Sequence, residues 1–128
     1  MALLLDTHAF LWWGQGNVRM PVPIREVIED PGAEVFVSAA TAWEIATKHN
    51  LGKLPEAEGI ARDISGNLAA HGFRELAITV EHAERAGRLP LHHRDPFDRM
   101  LIAQAEVDGH TLISNETLFD RYGITRLW

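Results

Sequence analysis

Four carboxylates in this chain stand where chemistry, and not only solubility, could use them: Asp6, Glu44, Asp98 and Glu116. Asp6 ends the apolar run Leu3-Leu4-Leu5, and a charge placed there is costly unless it is paired or caps the next helix. Glu44 falls in the first or second turn of a helix for which Ser38 is a good N-cap, which leaves two uses open: an ion pair with Lys48 one turn on, or a place in a site. Asp98 comes just inside the helix opened by Asp95-Pro96 and shares a face with Leu101, Ile102 and Ala105, so it needs a partner. Glu116 follows Thr111-Leu112-Ile113 closely enough to share an edge with Asp6. Collected on one rim, two such charges ~4 Å apart repel by about 4 kcal/mol at an effective dielectric near 20. A divalent cation resolves the conflict. Oxygen-only ligation selects Mg²⁺ or Mn²⁺, and such a site keeps water that can attack a phosphodiester.

The elements that must position these acids read as α/β. Leu3–Leu5, Glu34–Val37, Glu75–Ile78 and Thr111–Ile113 are short β-prone runs. Between them, helical patterns cover roughly Thr7–Trp13, Ala40–His49, Glu56–His71, Val80–Arg88 and Pro96–Asp108, with a short turn over Thr117–Tyr122. Pro21, Pro23 and Pro31 are read as punctuation between elements. Right-handed crossovers between parallel strands place helices on both faces of a sheet, and ligands gather beyond the carboxyl ends of the strands. Asp6 is at such an end.

At 128 residues the chain predicts one domain, residues 1–128, large enough for a sizeable core. No apolar run nears the ~20 residues a membrane span needs, and Met1-Ala2-Leu3 leads straight to Asp6, so the expectation is a soluble cytoplasmic protein with no membrane partner. With no cysteine, disulfides, thiolate nucleophiles and sulfur-bound zinc are excluded. A net charge of -6 speaks against a general nucleic-acid coating protein, but it leaves room for an acidic pocket beside a local basic rim.

Leu4-Leu5-Asp6-Thr7-His8, Ser38-Ala39-Ala40-Thr41-Ala42-Trp43-Glu44-Ile45-Ala46, Gly52-Lys53-Leu54-Pro55 and His93-Arg94-Asp95-Pro96-Phe97-Asp98-Arg99, in this order, resemble the PIN-domain family and within it the VapC-type ribonuclease toxins. The resemblance runs along nearly the whole chain. It implies a three-layer α/β/α sandwich with a mainly parallel central sheet and an acidic Mg²⁺ or Mn²⁺ site that hydrolyses RNA. By position Asp6, Glu44 and Asp98 are the first three family acids, and Glu116 stands where the family usually has Asp. The resemblance further implies a cognate antitoxin protein and a homodimer. In these roles Asp6 and Asp98 are the principal ligands, Glu44 ligates or orients the attacking water, and Glu116 acts through a second ion or a bound water.

Other residues have plainer expected uses. Ser114 and Asn115 are read first as caps of the last short helix and second as hydrogen-bond donors to the site, and Thr7 and His8 first as a helix-start residue and a partly buried histidine and second as substrate contacts. His92-His93 lacks a metal-binding spacing and reads as loop or substrate rim. Lys48, Lys53, Arg94 and Arg99 are the cations nearest the acids and candidates for phosphate, whereas Arg62, Arg74, Arg85 and Arg88 read as solvated faces. Phe10, Leu11, Trp12 and Trp13 exceed one helix face, which leaves apolar surface for another chain. Two other functions compete: a catalytically silent module that binds RNA or protein, and a phosphohydrolase of small esters. The second wants an Asp-x-Asp signature, and Thr7-His8 stands there instead.

Overall fold

A computed structural model describes all residues, Met1–Trp128. Five strands, β1 (Ala2–Leu5), β2 (Glu34–Ser38), β3 (Arg74–Leu76), β4 (Thr111–Ile113) and β5 (Arg126–Leu127), form one sheet in the order β3-β2-β1-β4-β5, and every pairing is parallel. The helices are α1 (Thr7–Gln15), α2 (Val22–Glu29), α3 (Ala39–Asn50), α4 (Glu58–Ala61), α5 (Ile64–Ala70), α6 (Val80–Arg88) and α7 (Pro96–Asp108), with 3-10 turns at Pro55–Ala57 and Thr117–Tyr122.

Three consecutive leucines suit the central strand because successive side chains point to opposite faces, and here both faces are covered. Leu3 and Leu5 pack with Phe10, Ile24, Val35 and Ile45, while Leu4 packs with Leu101, Ile102, Leu112 and Phe119 on the other side. Each of the three is fully buried, a contribution of about 1.5–3 kcal/mol apiece. The result is the expected α/β/α sandwich.

The elements depart from the sequence reading in four places. Residues Val22–Glu29 form a helix: Pro23 lies in its first turn, where no intrahelical N–H is required, so the proline opens the helix instead of marking a loop. The single helix expected over Glu56–His71 is broken at Asp63, whose carboxylate accepts from the Gly66 N–H at 3.0 Å and starts α5 afresh. Arg126–Leu127 adds a fifth strand too short to register as a pattern. Ile78 falls beyond β3, which ends at Leu76.

The chain lays down β1, β2 and β3 in one direction and then returns to place β4 on the other side of β1. The strand order therefore reverses between β1 and β4, and helices leave the carboxyl ends there in different directions, opening a crevice. Asp6 follows β1 and Ser114 follows β4 at that point, and the Asp6 N–H donates to Ile113 O at 3.1 Å across it.

Candidate active site

Asp6 is 5 % exposed. It answers both sides of the question its position raised: Oδ1 accepts from the Ala9 N–H at 2.8 Å, capping α1, while the carboxylate also faces the Ser114 hydroxyl. Burial pushes its pKa up, against the pull of Ser114, the Ala9 N–H and the charge of His8, and the Glu44 charge raises it further. Ser114 is fully buried and does two jobs, since its Oγ also accepts from the Glu116 N–H at 3.0 Å.

Glu44 enters from α3 and is 4 % exposed. Its Oε1 accepts from Thr7 Oγ1 at 2.6 Å and its Oε2 from Lys48 Nζ at 2.5 Å. The Thr41 hydroxyl lies 3.2 Å from Thr7 Oγ1. Thr7 has one proton to give, so Thr41 donates to Thr7 as Thr7 donates to Glu44. Thr41 and Glu44 are one turn apart on α3, and that i, i+3 spacing was the available signal for a supporting hydroxyl. Both uses left open for Glu44 are thus present, the pair with Lys48 and a place beside Asp6. Replacing Thr7 by Val removes the only hydroxyl donor to Glu44 without changing the volume. We expect a loss of about 1.5–3 kcal/mol, read as a thermal midpoint lower by ~5–10 °C, with Thr7→Ser recovering most of it.

Asp98 sits on the first turn of α7, which Asp95 caps by accepting from the Phe97 N–H at 2.9 Å. Burial comes first in pushing its pKa up to about 7; the charge of Asp95 adds to this, His93 opposes it, and Asp6 and Glu44 add again. A helix N-terminus alone would favour the anion by about 0.3–1 kcal/mol. Burial and three acidic neighbours outweigh that here. His93 Nε2 is 2.8 Å from Asp98 Oδ2, a charge contact too far off-line to serve as a directed hydrogen bond. Because His93 Nδ1 accepts from the Asp95 N–H at 3.3 Å, the neutral ring carries its proton on Nε2, facing Asp98.

Three elements therefore bring Asp6, Glu44 and Asp98 within range of one another's charge. Glu116 stands apart. It is exposed, its Oε1 accepts from the Leu118 N–H at 3.0 Å, and no hydrogen bond or ion pair joins it to the other three. It caps the 3-10 turn expected of Ser114 or Asn115. No three His, Asp or Glu side chains close tightly enough to hold an ion in this arrangement, with Lys48 on Glu44 and His93 on Asp98. The donor chemistry nonetheless fits a hard divalent cation: all-oxygen, largely buried, and carrying more negative charge than the one ammonium beside it, that of Lys48, offsets.

Arg99 is removed from the phosphate candidates. Its guanidinium donates to four carbonyls, Pro90 and His93 at 3.0 Å and Ala86 and Leu89 at 2.9 Å, and holds the loop between α6 and α7 that carries His93. Tyr122 braces the same loop, accepting from the His93 N–H and donating to Pro90 O, each at 2.7 Å. His92 packs edge-on against Tyr122. A cavity of about 480 Å³ along β3, α5 and the start of α3 has Glu75 as its only carboxylate, hydrogen-bonded by Ser65, and contains none of the four acids.

The family model of the PIN domain matches residues 3–124. The chain belongs to the PIN-domain family. This PIN domain is 38% identical over 64 residues to Ribonuclease VapC16 of Mycobacterium tuberculosis, a match that spans 50% of the chain and 44% of that relative's length. Among solved structures it resembles VapBC2 from Rickettsia felis bound to a promoter DNA fragment, with a TM-score of 0.74 and 14% identity over 100% of this chain and 99% of that one. It also resembles VapC20 of M. tuberculosis, a sarcin-ricin loop cleaving toxin, at 0.65 and 16% over 96% of each chain. At these identities the structural likeness speaks for the fold alone. No helix of this PIN domain is long and apolar enough to cross a membrane.

Proposed function

We propose that this single PIN domain is a divalent-metal-dependent endoribonuclease of the toxin–antitoxin type. The observation that carries the reading is the meeting of Asp6, Glu44 and Asp98 at the switch point of the sheet, where the strand order opens a crevice, the Glu44 charge is felt at Asp6, and both are felt at Asp98. The likeness to Ribonuclease VapC16 supports RNA as the substrate.

Asp6 and Asp98 would hold Mg²⁺ or Mn²⁺, with Glu44 as third carboxylate. A bound ion supplies a Lewis acid that lowers the pKa of the attacking water and offsets charge on the phosphate. The chain supplies the rest. Asp6 is fixed by the Ala9 N–H and therefore sets the position of the site. Glu44, steadied by Thr7, orients the water for in-line attack at phosphorus, with departure of the 3′ oxygen. Lys48, paired with Glu44, would be free to meet a phosphate oxygen once Glu44 is otherwise engaged. Glu116, exposed on the rim after β4, would take part only by way of a second ion or a bound water.

The partners of this reading are single-stranded or looped RNA, a cognate antitoxin protein and a second copy of the chain. Trp43, 64% exposed and edge-on to Phe97, lines with Ile78 and Met100 an apolar cavity of about 240 Å³ suited to protein contact.

The test is incubation of a mixed cellular RNA pool with purified protein and Mg²⁺ or Mn²⁺, with EDTA as control. Discrete cut ends that vanish on chelation are the expected result. Folded, antitoxin-free protein that binds RNA without cutting it under either ion would instead mark a silent binding module. Faster turnover of a small phosphate ester than of RNA would mark a phosphohydrolase.

A further inference from the structure

Most of the chain's cations are already spent. Lys48, Arg62, Arg74, Arg85, Arg88 and Arg126 pair with carboxylates, Arg99 is clamped by carbonyls, and Arg25 lies over the Trp13 ring at 4.9 Å. Lys53, Arg94 and Arg121 remain with no such partner, and Arg19 has only the Trp12 ring. With a net charge of -6, phosphate attraction alone is a weak source of RNA affinity, and base stacking is the alternative.

A surface for stacking begins two residues from Asp6. His8 is exposed, contrary to the sequence expectation, and its charge reaches Asp6. One turn along the same face of α1, Trp12 lies 5.6 Å from it, ring centre to ring centre. Trp128, just past β5 and so on the same carboxyl edge as Asp6 and Ser114, lies 5.8 Å beyond Trp12. Gly16 ends α1 in the left-handed conformation, the Asn17 N–H turns back to Trp12 O at 2.9 Å, and the Asn17 side chain accepts from the Arg19 N–H at 2.9 Å. This turn returns the exposed Arg19 to the Trp12 ring, 5.7 Å from its centre. The geometry points to His8, Trp12 and Trp128, with Arg19, as a stacking track for the bases of single-stranded RNA beside the phosphodiester to be cut. The outer face of His8 takes the base nearest Asp6, the solvent-facing part of the half-buried Trp12–Trp128 pair takes the next, and Arg19, beside Trp12, meets a phosphate of the same strand. Stacking tolerates any base, so the track fixes the register of the strand more than its sequence.

The inference rests on the ribonuclease reading, and its test separates the two. Short single-stranded RNA of mixed sequence is titrated into Asp6→Asn protein, with tryptophan emission and the anisotropy of labelled RNA as readouts. RNA is expected to quench emission, and His8→Ala and Arg19→Gln, both at exposed positions, each to weaken binding on the order of 10-fold. Trp12→Phe combined with Trp128→Phe removes most of the quench, whereas Trp43→Phe leaves it. Circular dichroism verifies the fold of each variant. The track is overturned by absence of RNA binding, by affinity indifferent to His8 and Arg19, or by a quench that follows Trp43. If wild-type protein fails to cut RNA yet the quench depends on these residues, the track stands and the ribonuclease reading falls. If metal-dependent cutting is present and binding ignores them, the track alone falls.

Discussion

Asp6→Asn is expected to lower RNA cleavage by about 10³-fold or more while leaving the protein at least as stable as the parent at pH 8. The two halves of this result come from different oxygens of one side chain. Asn is as good an N-cap as Asp, so the bond from the Ala9 N–H survives and α1 keeps its start. What disappears is the buried charge, which burial and Glu44 already disfavour in the folded chain. A neutral amide cannot replace a carboxylate ligand of a hard cation or balance its charge, so the chemical step should fail. Cleavage assays with Mn²⁺ or Mg²⁺ and thermal unfolding of the same preparation test both halves. Undiminished cleavage would mean that the chemistry does not centre on the β1–β4 crevice. Lost activity with a collapsed thermal midpoint would mean that the carboxylate is structural.

Asp98→Asn is expected to combine a similar loss of cleavage with a gain in stability that depends on pH. An unfolded Asp titrates near 3.9, and in the folded chain Asp98 is pushed up to about 7. Between these values the folded state holds the proton more tightly than the unfolded state, so stability falls as pH rises through that window and stays low above it. Below about pH 4 the group costs nothing. Three units correspond to an upper bound of about 4 kcal/mol, and with a quarter of the side chain open to water and the His93 contact forfeited we expect about 1–2 kcal/mol at pH 8. The thermal midpoint should rise by ~3–6 °C at pH 8 and change little at pH 4. A midpoint that falls at pH 8 would show that the His93–Asp98 contact outweighs the repulsion. Conversely, a cation bound by the folded state alone should stabilise the parent protein and leave the variant nearly unmoved. Strain of this kind is the ordinary cost of an active site.

How far the sequence led can be judged from individual residues. The triple leucine, the Ser38 and Asp95-Pro96 helix starts and the position of Asp6 after an apolar run are local signals, each set by hydrogen bonding or burial within a few residues. They were enough for the α/β class and for α7 to its last residue, and they are what puts the four acids forward as candidates. Local signals failed where two rules competed. Pro23 obeys both a loop rule and a helix-start rule, and only its place in the first turn of α2 selects between them. Arg99 looked available to phosphate because its four carbonyl partners come from the last turn of α6 and the loop after it, whose path is set by packing of α6 on α7.

Which residues carry chemistry-bearing side chains was thus decided by the sequence alone, together with the helices and strands that hold them. What only tertiary structure decided was distance. The sheet order brings the ends of β1 and β4 together, lays α3 and α7 across them, and so unites Thr7 with Glu44 and brings Asp98 within reach of the Asp6 and Glu44 charges while leaving Glu116 on the rim. Electrostatic and hydrogen-bond energies depend on separation and solvent exposure, neither of which spacing along the chain encodes.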